Sequence, residues 1–224
     1  MDAYGADAGL PGTGPDAPTV HPGDGEWWRA YGDLVPAWLE AYLRLEQSAS
    51  AIDTFQVQFV PGLLQSPDYA RSVIVAGHQG VPVADIDRRV ELRTTRQRLL
   101  ACPDGPKLRA VIDEAALRRP FGSPRVMRVQ LDHLLEMVEL PNVTVQVLPF
   151  RSGGHAAAGG SFTMLHFADT ELPDIAYLEQ LTGAVYLADS ADVGSYAEVM
   201  ARVAVQAETP ARSAEMLHRM RRDV

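Results

Sequence analysis

From residue 26 onward the chain switches repeatedly between two hydrophobic periods. Val35, Trp38, Tyr42, Leu45, Ala49 and Ile52 recur every three or four residues, the apolar stripe of an amphipathic helix. Pro36 suits a first turn, so the spacing predicts a helix starting near residue 34. The period then falls to two: Phe55, Val57 and Phe59 alternate with Thr54, Gln56 and Gln58, a strand with one buried face that Pro61-Gly62 ends. Ser66-Pro67-Asp68 supplies a cap and an N1 proline for a helix through Tyr69, Ala70, Val73 and Ile74, stopped at Gly77. A helix over residues 85–100 carries Arg88, Arg89, Arg93, Arg96 and Arg98 beside a thin stripe of Ile86, Val90 and Leu99 or Leu100. Asp85, Asp87 and Glu91 share it, which predicts a solvated, partly ion-paired face. A short strand at 108–112 runs into DEAALRRP, and Pro124 opens the most regular helix, with Met127, Leu131, Leu134, Leu135 and Val138 on one face, ended by Pro141.

The last third begins as β structure. Val143, Val145 and Val147 alternate, a Gly-rich loop covers 152–160, and Phe162, Met164 or Leu165 and Phe167 form another strand; 175–179 and 184–187 read as two more. Helices over 191–207 and 211–222 close the chain. The expected fold is α+β, with amphipathic helices packed on one face of a small, mainly antiparallel sheet. Residues 1–25 hold only isolated large apolar side chains among Gly, Pro, Asp and Ala, which cannot offset the entropy of ordering. The expectation is a disordered tail ahead of one domain over 26–224.

Composition and charge narrow the function. With 29 acidic against 20 basic residues the net charge is -9, and so acidic a surface repels phosphate backbones, so direct nucleic-acid binding is not expected. No apolar run approaches the roughly 20 residues of a spanning helix, and the start lacks a signal-peptide pattern, which places the chain in the cytoplasm without a membrane role. Cys102 stands alone, and His78, His133, His166 and His218 are scattered without ligand spacing, so neither metal nor cofactor is expected. Gly153-Gly154 and Gly159-Gly160 match no phosphate or dinucleotide loop. Ser66, Ser123 and Ser161 lack a Gly-x-Ser-x-Gly context, so covalent catalysis has no support.

Several runs carry a resemblance: WWRAYGDLVPAWLEAYLRLEQSASAIDTF at 27–55, VPGLLQSPDYARSVI at 60–74, DEAALRRPFGSPRVM at 113–127, NVTVQVLPFRSGGH at 142–155 and IAYLEQLTGAVYL at 175–187. In order and without large gaps, they resemble an actinobacterial domain of unknown function. That domain typically follows an Xre-type helix-turn-helix in transcription regulators, some of them Scr-type antitoxin-like regulators encoded beside small toxin-like partners. The resemblance implies a regulatory effector domain that binds a small co-encoded protein or a small-molecule ligand, and it assigns no reaction. Where such a regulator carries its helix-turn-helix, this chain has the Gly/Pro-rich segment before Trp27, which cannot supply a recognition helix. The expectation is an effector half standing alone, with self-association into a homo-oligomer left open.

Four groups of residues could carry chemistry. Asp113 and Glu114, at a strand end and followed by Arg118 and Arg119, could serve as acid or base, or could form an ion-pair network that caps the next element. Glu46, near the apolar side of its helix, and Glu179, ending an apolar strand, both call for arginine partners. His155 lies in a flexible Gly-rich loop of the kind that covers a pocket, as a general base or simply as an exposed side chain. Trp27, Trp28, Tyr31, Trp38 and Tyr42 are dense enough to line a ligand cavity, or to clamp the first helix to the sheet. Two functions follow. The first is a regulatory domain binding through Trp27, Trp28, Trp38, Tyr42, Glu46, Arg118, Arg119 and Glu179. The alternative is a cofactor-free biosynthetic enzyme, a cyclase or isomerase, using Asp113, Glu114 and His155.

Overall fold

The computed structural model describes residues 26–169 and 172–224; the tail expected over 1–25 lies outside the described residues. A 3-10 turn at Trp27–Tyr31 leads into α1 (Ala37–Ser48), whose first turn closes on the Pro36 carbonyl. The helix stops short of the expected Ala49 and Ile52, which keep the helical spacing but belong to a different element. Ser50 N–H donates to the His166 carbonyl and Lys107 N–H to the Ser50 carbonyl, so sheet bonds on both sides capture the chain as β1 (Ala51–Gln56). β1 ends before the expected Val57 and Phe59.

Then follow α2 (Pro67–Gly77), α3 (Val83–Gln97), a 3-10 turn Arg98–Ala101, and β2 (Lys107–Asp113). Asp113 is both the last strand residue and the cap of α4 (Glu114–Arg118), a short helix the sequence pattern did not reveal. Next are α5 (Pro124–Met137), capped by the Ser123 hydroxyl, and β3 (Val143–Leu148). β4 (Phe162–His166), β5 (Ile175–Gln180), β6 (Gly183–Leu187), α6 (Ser190–Gln206) and α7 (Pro210–Asp223) complete the α+β fold. Among the described residues no helix is long and apolar enough to cross a membrane.

The sheet is mixed rather than mainly antiparallel. Its order is β3-β2-β1-β4-β5-β6, with β1, β2 and β3 parallel and β4, β5 and β6 joined antiparallel. The cause lies in the connections: α2–α3 and α4–α5 are crossovers long enough to return the chain in the same direction, whereas β5 and β6 share a tight turn. The helices also occupy both faces. Ile52, Leu108, Ala110, Val145, Leu165 and Tyr177 face the main core with α1, α5 and α7, while Phe55, Val111, Leu148, Phe162 and Met164 pack on Met200 and Val203 of α6.

Between β1 and α2 the chain runs through the core with only one 3-10 turn, Gly62–Leu64; Val60, Leu64, Gln65 and Ser66 are all buried. Its backbone is satisfied by three glutamine amides. Gln65 Nε2 donates to the Val60 carbonyl (2.7 Å), Gln97 Nε2 to the Gly62 carbonyl (3.2 Å), and Gln130 Nε2 to the Leu64 carbonyl (2.7 Å). Ser66 N–H in turn donates to Gln130 Oε1 (2.7 Å). Gln130→Leu, which strands both groups in the core, is expected to cost about 2–4 kcal/mol of stability in urea unfolding. A loss under about 1 kcal/mol would show that the amide does not hold this segment.

Candidate functional site

The parallel strands β1, β2 and β3 end on the same edge of the sheet, the edge where open α/β sheets form crevices. Asp113, Glu114 and His155 meet there. Asp113 Oδ1 accepts from Ala115 N–H (2.7 Å) and caps α4. Glu114 is buried: Oε1 accepts from Arg118 Nε (2.6 Å) and Oε2 from Phe150 N–H (2.8 Å), which stitches the end of β2 to the end of β3. The His155 ring meets Phe55 edge-on at 5.2 Å, and its Nε2 lies 4.0 Å from Asp113 Oδ2, beyond a hydrogen bond. Arg119 is exposed beside them. Alongside runs an open cleft of about 700 Å³ between the Gly-rich loop and α6, lined by His155, Ala156, Ala201, Val205 and Gln206.

A second group joins α1, α3 and the antiparallel half of the sheet. Glu46, only 2% exposed, accepts a two-pronged bond from Arg96 of α3, Nε to Oε2 at 2.9 Å and Nη2 to Oε1 at 2.7 Å. The Arg96 guanidinium lies over the Tyr42 ring at 5.4 Å; Tyr42 stacks on Tyr177 at 4.3 Å and Tyr177 on Tyr186 at 5.1 Å. The Tyr186 hydroxyl donates to the Trp38 carbonyl, fixing α1 to β6. Burial works against charge on Arg96, but the charge and hydrogen bonds of Glu46 outweigh it and raise the pKa. Burial also lifts the three tyrosines well above the ordinary phenol, with Glu46 adding to it at Tyr42 and Glu179 at Tyr177 and Tyr186, so all three stay neutral. Arg93 donates to Gln65 Oε1 (2.9 Å), and burial followed by repulsion from Arg96 pulls its pKa down to about 10. Glu179 stands exposed at the outer end of β5.

The structure therefore gathers Tyr42 and Glu46 with Glu179 nearby, touches Trp38 through its carbonyl, sets Arg118 with Glu114, and leaves Trp27 and Trp28 elsewhere. Trp28 is buried against Leu43 of α1 and Leu92 of α3, with Trp27 and Tyr31 packed on it. Of the five aromatics, Trp27, Trp28 and Tyr31 clamp α1 to α3, while Tyr42, on Tyr177 of β5, clamps α1 to the sheet. The expected solvated arginine face of α3 also needs correction. Arg88 pairs with exposed Asp33, but Arg89, Arg93 and Arg96, spaced four and three apart, turn inward. That spacing, the same as the spacing of the apolar stripe, was the available signal for Arg93 and Arg96. Tyr177 and Tyr186 carried none beyond alternation in an apolar strand.

A third polar group lies on the α6 side of the sheet. His166 Nδ1 is 2.6 Å from Asp174 Oδ2, and its Nε2 is 3.4 Å from Asp53 Oδ2. Arg109 Nε donates to Asp53 Oδ1 (2.9 Å). The hydrogen bond to Asp53, partly offset by burial and reinforced by Asp174, raises the His166 pKa. Burial alone would raise Asp53, but His166 and Arg109 outweigh it and lower the carboxyl.

A family profile described as "Domain of unknown function (DUF5753)" matches residues 39–219. No curated protein and no solved structure matches the chain significantly.

Glu46→Gln leaves the Arg96 cation without its counter-charge and is expected to lose about 3–5 kcal/mol in urea unfolding. The double change Glu46→Leu with Arg96→Leu recovers most of that loss, since both desolvation costs vanish together. A second expectation concerns pH. His166 has a folded pKa above its unfolded value of 6.5, so its stabilisation is complete below that value and is lost as pH rises through the folded one. The melting temperature should therefore fall from pH 6 upward into the mildly alkaline range by more in the parent protein than in His166→Gln; equal slopes would show that His166 does not carry the effect.

Proposed function

The chain belongs to the DUF5753 family, and we propose that it is a regulatory domain that works by binding, with its effector received at the Tyr42–Glu46–Arg96 cluster between α1, α3 and β5. One observation carries the reading. The carboxylates that could do acid–base work are each spent on structural bonds: Asp113 on the α4 cap, Glu114 on Arg118 and Phe150, and Glu46 on Arg96. A general base must be free to turn toward the proton it removes, and these carboxylates are held in place by their bonds; only Asp113 Oδ2, facing His155, accepts none. The resemblance to the half that follows a helix-turn-helix in antitoxin-like regulators supports the same reading, and extends it to a small co-encoded protein that would read the occupied state.

The competing reading, a cofactor-free cyclase or isomerase, has its own support: His155 faces Asp113 at the carboxyl ends of parallel strands, beside a cleft large enough for a small substrate. The two readings separate in one experiment. Fractions of a small-molecule extract are screened by the melting temperature of the protein, and each fraction that raises it is followed by mass spectrometry. A compound that stabilises the protein and is returned unchanged is the expected result. A compound converted to product by the parent protein, but not by His155→Ala, would sink the binding reading.

A further inference from the structure

Beside the cleft of about 700 Å³ at the Gly-rich loop stands a pair of polar atoms whose bonding is incomplete. His155, part of the cleft wall, presents Nε2 to Asp113 Oδ2 across 4.0 Å, and neither atom makes a hydrogen bond among the described residues. Contacts on their far sides hold the two groups apart. The Asp113 carboxyl is anchored by its other oxygen, which accepts from Ala115 N–H at 2.7 Å, and the imidazole rests edge-on against Phe55. The second ring nitrogen, Nδ1, is buried and meets no partner, so the imidazole proton is held at lower cost on Nε2, opposite the carboxylate. An N–H donor and a carboxylate acceptor thus face each other across one gap, and an oxygen set about 2.8 Å from each fits it. Both side chains keep some exposure, 20% for His155 and 17% for Asp113, so the pair is not sealed from outside.

The rest of the cleft has no unpaired charge to offer. Glu198 and Arg202, both in its lining, pair with each other, and Gln206 Nε2 donates to the Gly154 carbonyl at 3.5 Å. Ala156, Ala201 and Val205 complete an apolar wall, and Val205 is 86% exposed, an aliphatic side chain that the apolar body of a ligand would cover. We infer that the cleft is a second binding site, for an uncharged small molecule with an apolar body and a hydroxyl whose oxygen accepts from His155 Nε2 and donates to Asp113 Oδ2. The two roles select the group. An ammonium has no lone pair for the imidazole N–H, a carboxylate has no proton for Asp113 and is repelled by it, and an ether or ketone fills only the first role. Phe55, under His155, packs on the α6 face of the sheet, whereas Tyr42 packs in the core on the other face, so this site does not rest on the Tyr42–Glu46–Arg96 cluster.

The test titrates the whole chain calorimetrically with β-naphthol and with its methyl ether, which keeps the rings and the acceptor oxygen but has no proton to give. The naphthol is expected to bind about ten- to a hundredfold more tightly, the worth of a hydrogen bond to a charged group. Asp113→Asn keeps an oxygen for the α4 cap and puts an amide donor where the facing oxygen was, so the two probes should then bind almost equally while Tm changes little. If Asp113→Asn weakens both probes alike and leaves their ratio intact, the carboxylate is structural and the inference is overturned. His155→Phe, which preserves a ring against Phe55, gives a second reading and is expected to weaken both probes by about fivefold or more, since both use the imidazole N–H. Val205→Asp alters an exposed position, so it should leave Tm unchanged and still weaken both probes by about tenfold, because it sets a charge in the apolar wall. Equal affinities of the two probes for the parent protein, no binding of the naphthol, or full binding by Val205→Asp overturns the site, and none of these results bears on the Tyr42–Glu46–Arg96 cluster.

Discussion

A buried carboxylate must be met by a cation or it will not stay charged, and the meeting of Glu46 with Arg96 sets how the helical layer is built. Glu46 sits on the face of α1 that also carries Tyr42 and Leu45, so the helix can bury its apolar stripe only if α3 delivers a guanidinium to the same depth. The planar fork demands both position and orientation, which fixes α3 relative to α1 more tightly than apolar contact would. The consequences spread outward. Once α3 is held there, Trp28 fills the space between Leu43 and Leu92, and Gln97 reaches the Gly62 carbonyl. The irregular segment before α2 can then be buried, since its carbonyls have found donors.

The other half of the architecture depends on carboxylates used in a different way. Along the edge where β1, β2 and β3 end, neighbouring strand ends must be tied before the chain turns into helix or loop. Asp113 ties β2 to α4, and Glu114 ties it to β3 through the Phe150 amide. These bonds tie the strand ends together, while the Gly-rich loop beside them is tied to α6 by Ser152 and Gln206 and carries His155 against the Phe55 ring. The carboxyl ends of parallel strands are where open sheets build binding crevices, whatever chemistry a given member performs.

Much of this was legible in the sequence, for reasons that can be named. α5 and β3 followed from periodicity because their environment is one-sided: Met127, Leu131 and Leu134 face the core, as do Val143, Val145 and Val147. The demand of Glu46 for an arginine was equally legible, because a carboxylate near an apolar stripe has few alternatives. What failed was wherever a distant partner outweighed local pattern. Ala49 and Ile52 continue a helical spacing, yet bonds to His166 and Lys107 from strands far along the chain draw them into extended structure. The parallel pairing of β1, β2 and β3 depends on crossover geometry that alternation of side chains does not encode. The arginines of α3 read as solvated because acids share the helix, but 89, 93 and 96 lie on one side of it and 85, 87 and 91 do not all follow them.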